Sequence, residues 1–249
     1  GYESVGRVTQ AGANTTYTPG ELVFVPGAAC YGEVRGLFGG AASRVVIPAL
    51  RALRITEDLG ERGTLLALAA TAYHAVHGSG GPMPELIVGH GVLGRMIARI
   101  AVLAGAMPVV WDTNPARRNG AAGYPVIDPS EDSRSNYRCI VDVSGDAAIL
   151  DTLIARCASN GEIVLAGFYD ENLRFAFAPA FMREVRMRVA AQWKPQELLA
   201  VRDLVECGRL SLDDLITHRS SPDAADLAYR TAFDDPDCLK MILDWRRAT

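Results

Sequence analysis

The segment Pro84-Glu85-Leu86-Ile87-Val88-Gly89-His90-Gly91-Val92-Leu93-Gly94-Arg95 sets three glycines, spaced Gly-x-Gly-x-x-Gly, directly after an apolar run and before apolar positions at helical spacing. Each glycine has a separate task in such a strand-to-helix turn. Gly89 permits the tight turn, Gly91 lets backbone approach a pyrophosphate, and Gly94 lets the helix pack closely on the sheet. The helix is marked by Val92, Leu93, Met96, Ile97, Ile100, Leu103 and Ala104, and its N-terminal dipole faces the phosphates. A second apolar run, Val109-Val110-Trp111, ends in Asp112, 18 positions beyond Gly94. A carboxylate there accepts hydrogen bonds from the adenosine ribose hydroxyls and repels the extra phosphate of NADP, so the spacing predicts NAD as cofactor. His90, inside the loop, could bond a phosphate, shuttle a proton or cover the cofactor. Arg117 and Arg118 could reach a phosphate or stand as solvated charges opening the next helix.

Working outward, the compact apolar runs Leu86 to Val88, Val109 to Trp111, Ile140 to Val143 and Ile163 to Leu165 alternate with helical spacing. That alternation predicts an α/β fold with a Rossmann-type doubly wound parallel sheet. Before it, short runs at Glu3 to Thr9, Leu22 to Val25 and Ser43 to Ile47, broken by glycine and proline, predict small antiparallel strands. After Trp193-Lys194-Pro195 an amphipathic helix runs to about Val205, and the tail closes on the apolar run Leu239 to Leu243, which could return to the first region. The expected division is 1–70, 71–190 and 191–249.

The chain has 249 residues, 49% hydrophobic and 22% charged, enough for one large core or two ordinary ones and incompatible with intrinsic disorder. A net charge of -4 leaves no electrostatic footprint for nucleic acid. The longest apolar stretches fall short of the roughly 18 to 20 residues that a membrane span needs. The five cysteines form no Cys-x-x-Cys pair, which argues for reduced thiols in a cytoplasmic protein. The sequence begins at Gly1 rather than methionine and reads as a fragment or processed form.

These residues resemble the medium-chain dehydrogenase/reductase superfamily along essentially the whole chain. Gly1-Tyr2-Glu3-Ser4-Val5-Gly6 is similar to that family's Gly-His-Glu-x-x-Gly segment, and Gly20-Glu21-Leu22-Val23 to its Gly-Asp-x-Val turn. Thr71-Ala72-Tyr73 resembles the Thr-x-Tyr beside the nicotinamide, Asp142-Val143-Ser144-Gly145 the fourth-strand end, and Gly161 to Gly167 the fifth strand. Ile216-Thr217-His218 and Leu239-Lys240-Met241-Ile242-Leu243 resemble the closing segments, where the residue at Lys240 approaches the pyrophosphate. The resemblance implies a partial GroES-like β-rich catalytic domain beside the nucleotide domain, a start partway through that catalytic domain, and a homodimer built on a sheet edge. Narrower strings are Arg35 to Ala42, Leu65 to His74, Gly89 to Arg95, Asn114 to Arg118, Gly120 to Tyr124 and Gly167 to Asp170. They resemble a branch of the family that oxidises a hydroxyethyl substituent of a chlorin ring to acetyl with NAD.

Zinc-dependent members use a cysteine, the histidine of Gly-His-Glu and a ligand four positions before the Thr-x-Tyr threonine. The last two places hold Tyr2 and Ala67, and the four-cysteine lobe is replaced by a loop with Cys30 alone, so no metal is expected. Alcohol oxidation then needs a side chain to take the hydroxyl proton. Tyr2 is the first candidate, its alternative being an aromatic that fills space left by zinc. Glu3 is read as support through hydrogen bonds. His74 and His77, three apart on one helix, could form a relay or be structural; His218 is read as structural. Arg35 is the guessed anchor for a chlorin propionate. The remaining cofactor contacts implied are Thr71, Val143, Ser144 and Gly167. Two other readings stay open: a quinone or enone reductase of the same superfamily, and a non-catalytic nucleotide-binding module.

Overall fold

The computed structural model describes residues 1–34 and 37–247. Near the N-terminus, β1 (Ser4–Arg7), β2 (Leu22–Val25) and β3 (Leu53–Arg54) form an antiparallel sheet in that order. All four residues of β2 are buried, with Phe24 at its centre, because Leu-Val-Phe-Val is apolar on both faces and both edges are paired. The strand expected at Ser43 to Ile47 does not form. Val46 is 94% exposed and Pro48 follows, and the pairing edge of β2 is taken instead by Leu53 opposite Phe24.

The long helix α1 (Leu66–His77) leads into the second sheet. Then come β4 (Leu86–Val88), α2 (Val92–Leu103), β5 (Val109–Trp111), β6 (Val126–Ile127), β7 (Tyr137–Asp142), α3 (Leu150–Arg156), β8 (Cys157–Leu165), α4 (Phe177–Met182) and β9 (Arg186–Val189). The six strands are all parallel, in the order β6-β5-β4-β7-β8-β9. The order reverses between β4 and β7, so their C-terminal ends form the crevice of a doubly wound sheet. Leu86, Ile87, Ile140, Val141, Ile163 and Val164 are fully buried, as central parallel strands covered on both faces require. Tertiary pairing extends the expected run at Ile140 back to Tyr137 and that at Ile163 back to Cys157.

The chain continues through α5 (Pro195–Glu206), β10 (His218–Ser220), α6 (Ala225–Asp234) and β11 (Met241–Leu243), with β10 and β11 paired in parallel. This tail returns to the first third of the chain. Glu206 accepts the Thr56 N–H at 2.8 Å, Arg62 pairs with Asp213 at 2.5 Å, Arg219 pairs with Glu61, and Lys240 pairs with Glu3. Among the described residues no helix is long and apolar enough to cross a membrane.

Candidate active site

The glycine turn lies at the sheet's reversal point. Gly89 has φ of 102°, and a Cβ there would stand 3.1 Å from the Val143 carbonyl, because the loops leaving β4 and β7 pass side by side. A Cβ on Gly167 would come 3.2 Å from the Val143 Cα, which brings the end of β8 to the same point. On Gly94 it would fall 1.9 Å from the Gly89 carbonyl oxygen, so the first turn of α2 sits directly on the loop. Gly91 differs: a Cβ there meets nothing within 4 Å, and no side chain caps the N–H groups of α2. An open space beside free helix N–H groups suits an anionic group.

Asp112, at the end of β5, is half-buried, and its two carboxylate oxygens accept N–H groups from His90 and Asn114, each at 2.8 Å. The acid is thus bolted to the glycine loop. His90 corrects the expectation for its side chain. The ring is fully buried, with Nδ1 2.5 Å from the Arg117 carbonyl and Nε2 2.9 Å from the Tyr124 hydroxyl. It faces the protein, and burial pulls its pKa down to about 4 against the lesser opposing effect of the bond to Arg117. A ring so placed reaches no phosphate, and the His90 backbone is engaged as well, its N–H by Asp112 and its carbonyl by Arg95. Arg117 turns its Nε to the Pro236 carbonyl at 3.0 Å, and Arg118 bonds the Asp112 carbonyl and pairs with Asp128 at 2.5 Å.

Val143 and Gly167 form the wall of this crevice, and the Val143 N–H extends the β4 ladder to the Val88 carbonyl at 2.9 Å. Ser144 is exposed just beyond. Val92 and Leu93, half-buried, open α2. Thr71 lies half-buried on α1, its hydroxyl donating to the carbonyl of fully buried Ala67 at 3.1 Å. Lys240 and Glu3 form an ion pair, leaving Glu3 Oε1 buried without a partner. Tyr2 is 40% exposed and meets the Phe38 ring edge-on with centroids 4.7 Å apart; burial first and Glu3 second raise its phenol pKa.

The histidine relay is not present. His74 Nδ1 bonds Glu197 at 3.0 Å, joining α1 to α5, while the His77 ring packs against Tyr73 at 4.4 Å. Each ring is engaged elsewhere, and His74 acts as a strut between helices. Arg35 lies outside the described residues. Two groups have partners that the sequence does not reveal. Asp142, buried at the end of β7, accepts the Tyr169 hydroxyl at 2.6 Å; burial raises its pKa and the tyrosine opposes that. Arg95, 6% exposed, donates to the carbonyls of His90 and Arg117 at 3.1 and 3.0 Å. An arginine among the apolar positions of an amphipathic helix was the available signal for the second.

A doubly wound six-stranded sheet with this glycine turn, joined to an antiparallel β unit that the chain's tail rejoins, is the architecture of the medium-chain alcohol dehydrogenases. No model of a known protein family matches the chain. Over 250 residues it is 55% identical to 2-desacetyl-2-hydroxyethyl bacteriochlorophyllide A dehydrogenase of Rhodobacter capsulatus, covering 100% of this chain and 80% of that protein. It is 54% identical to the protein of the same name from Cereibacter sphaeroides, covering 99% and 79%. The chain belongs to the family of these dehydrogenases, within the medium-chain dehydrogenase/reductase superfamily, and is an oxidoreductase acting on CH–OH. Its fold matches the crystal structure of L-idonate 5-dehydrogenase from Escherichia coli with a TM-score of 0.82 at 17% identity, over 97% of this chain and 80% of that one.

Proposed function

We propose that the chain oxidises the hydroxyethyl substituent of a bacteriochlorophyllide to an acetyl group, with NAD as hydride acceptor and without zinc. The observation that carries this reading is the 55% identity, over the whole chain, to a protein named for that activity. Bound nicotinamide supplies the hydride acceptor. The chain's own residues do the rest. Gly91 and the open N-terminus of α2 would take the pyrophosphate, and Asp112, held at the edge of the loop, would take the adenosine ribose and repel a 2′-phosphate. Thr71, Val143, Ser144 and Gly167 would line the nicotinamide half. Lys240, paired with Glu3, would approach the pyrophosphate.

The donor set supports a zinc-free site. At the two places where zinc-dependent members of the superfamily hold ligands stand a tyrosine ring packed on Phe38 and a fully buried alanine methyl. The raised pKa keeps the Tyr2 phenol protonated at neutral pH. It therefore takes the alcohol proton only while releasing its own, and its 40% exposure leaves water as the receiver. On this reading residues 1–70 and 191–249 carry the substrate and residues 71–190 the cofactor. The same reading makes the protein a homodimer through β9, an edge strand whose Val189 is 76% exposed beside the exposed Phe177 and Phe181 rings. A monomeric sedimentation profile for the unaltered chain would remove that part. Turnover with NAD that survives a strong chelator, and falls when NADP replaces NAD, supports the rest; activity lost with the chelator and restored by zinc contradicts it.

A further inference from the structure

Behind the glycine loop runs a chain of three polar groups that the proposed reaction does not use. The Tyr124 hydroxyl lies 2.9 Å from His90 Nε2, while His90 Nδ1 lies 2.5 Å from the Arg117 carbonyl. Its direction follows from chemistry. A carbonyl can only accept, so Nδ1 carries the proton; a neutral ring then accepts at Nε2, and the tyrosine donates there. Beside this chain, Arg95 on α2 donates to the carbonyls of His90 and Arg117, and Arg99 on the same helix to those of Ser211 and Asp213 at 3.0 and 3.1 Å. Tyr124 and His90 are both buried. The result clamps the 113–124 segment to the loop that holds Asp112.

We propose that His90 and Tyr124 are positioning residues for the cofactor: by joining segment 113–124 to the glycine loop they fix Asp112 at the adenosine ribose and so set the preference for NAD over NADP. The inference rests on the cofactor reading above. Polar side chains in a satisfied buried chain hold one arrangement, and removing a member leaves its neighbour without a partner.

The test is a binding titration of NADH and NADPH on the full chain, for the unaltered protein, Tyr124→Phe, His90→Asn and the remote control Tyr17→Phe, which loses a 2.7 Å bond to the Ala52 carbonyl. Tyr124→Phe is expected to weaken NADH binding about fivefold and NADPH binding less, the loss of one hydrogen bond's worth of positioning. Tyr17→Phe is expected to bind both as the unaltered protein does. If Tyr124→Phe and His90→Asn melt earlier yet keep the unaltered affinity for NADH and the same ratio, the inference is overturned. An unaltered protein that binds neither dinucleotide overturns the cofactor reading and this inference with it. Should Tyr124→Phe fail to fold, His90→Asn alone decides.

Discussion

Lys240 and Glu3, 237 positions apart, form an ion pair in which the two side chains are 14% and 19% exposed. One sits beside β11 and the other beside β1, so the pair pins the end of the chain to its beginning. Removing one partner strands the other charge in a mostly dry place, which costs more than a surface pair would. Glu3→Ala is expected to lower the melting temperature by roughly 4–8 °C, from about 2 kcal/mol spread over a chain of this size. Pairing it with Lys240→Met should recover part of that loss. Thermal melts of the two single variants and the double variant check it; strictly additive losses would show that the pair is not coupled.

The glycines of the loop should separate folding from binding. Gly94→Ala must push a methyl to 1.9 Å from the Gly89 carbonyl oxygen, whereas Gly91→Ala meets nothing. Gly94→Ala is expected to reduce the yield of folded protein. Gly91→Ala is expected to fold normally, with a melting temperature near that of the unaltered chain, and to weaken NADH binding at least about tenfold by occupying the pyrophosphate's place. Circular dichroism with a binding titration reads both; normal binding by Gly91→Ala would mean that the open space serves another purpose.

Burial holds His90 near pKa 4, well below the value near 6.5 of an exposed imidazole. Below about pH 6.5 the unfolded chain therefore takes up a proton that the folded chain does not, and stability falls as pH drops toward 4. The contribution is about 2 kcal/mol near pH 5, or roughly 4–8 °C in melting temperature. His77, also held low by burial, acts in the same direction. The difference in melting temperature between pH 7 and pH 5 should shrink in His90→Asn; an unchanged difference would contradict the buried neutral ring.

Much of this fold is legible in the sequence where burial is complete. Leu22–Val25, Leu86–Val88 and Val109–Trp111 form where their apolar runs lie, since a strand covered on both faces is apolar at every position. Arg186–Val189 is not legible: as an edge strand it alternates arginine with apolar residues and leaves Val189 in the open. Ser43 to Ile47 misleads because β-branched residues favour strands only where a partner exists. The loop and Asp112 can be found by spacing, whereas the partners of His90 and Lys240 lie 34 and 237 positions away and only the folded chain brings them together.

Tyr2→Phe keeps the ring on Phe38 and removes only the hydroxyl. Turnover is expected to fall by about 100-fold or more with little change in KM, the signature of a proton-transfer group rather than a binding one. Steady-state kinetics with the pigment substrate reads it; unchanged kcat would leave the phenol as a packing group.

The central claim is tested most directly by one anaerobic spectrum of the full chain mixed with NAD and a hydroxyethyl bacteriochlorophyllide. The long-wavelength pigment band should shift as the substituent becomes acetyl, and NADH should form in equal amount. A pigment spectrum that stays constant with NAD, under conditions where NADH binding is demonstrable, would contradict it.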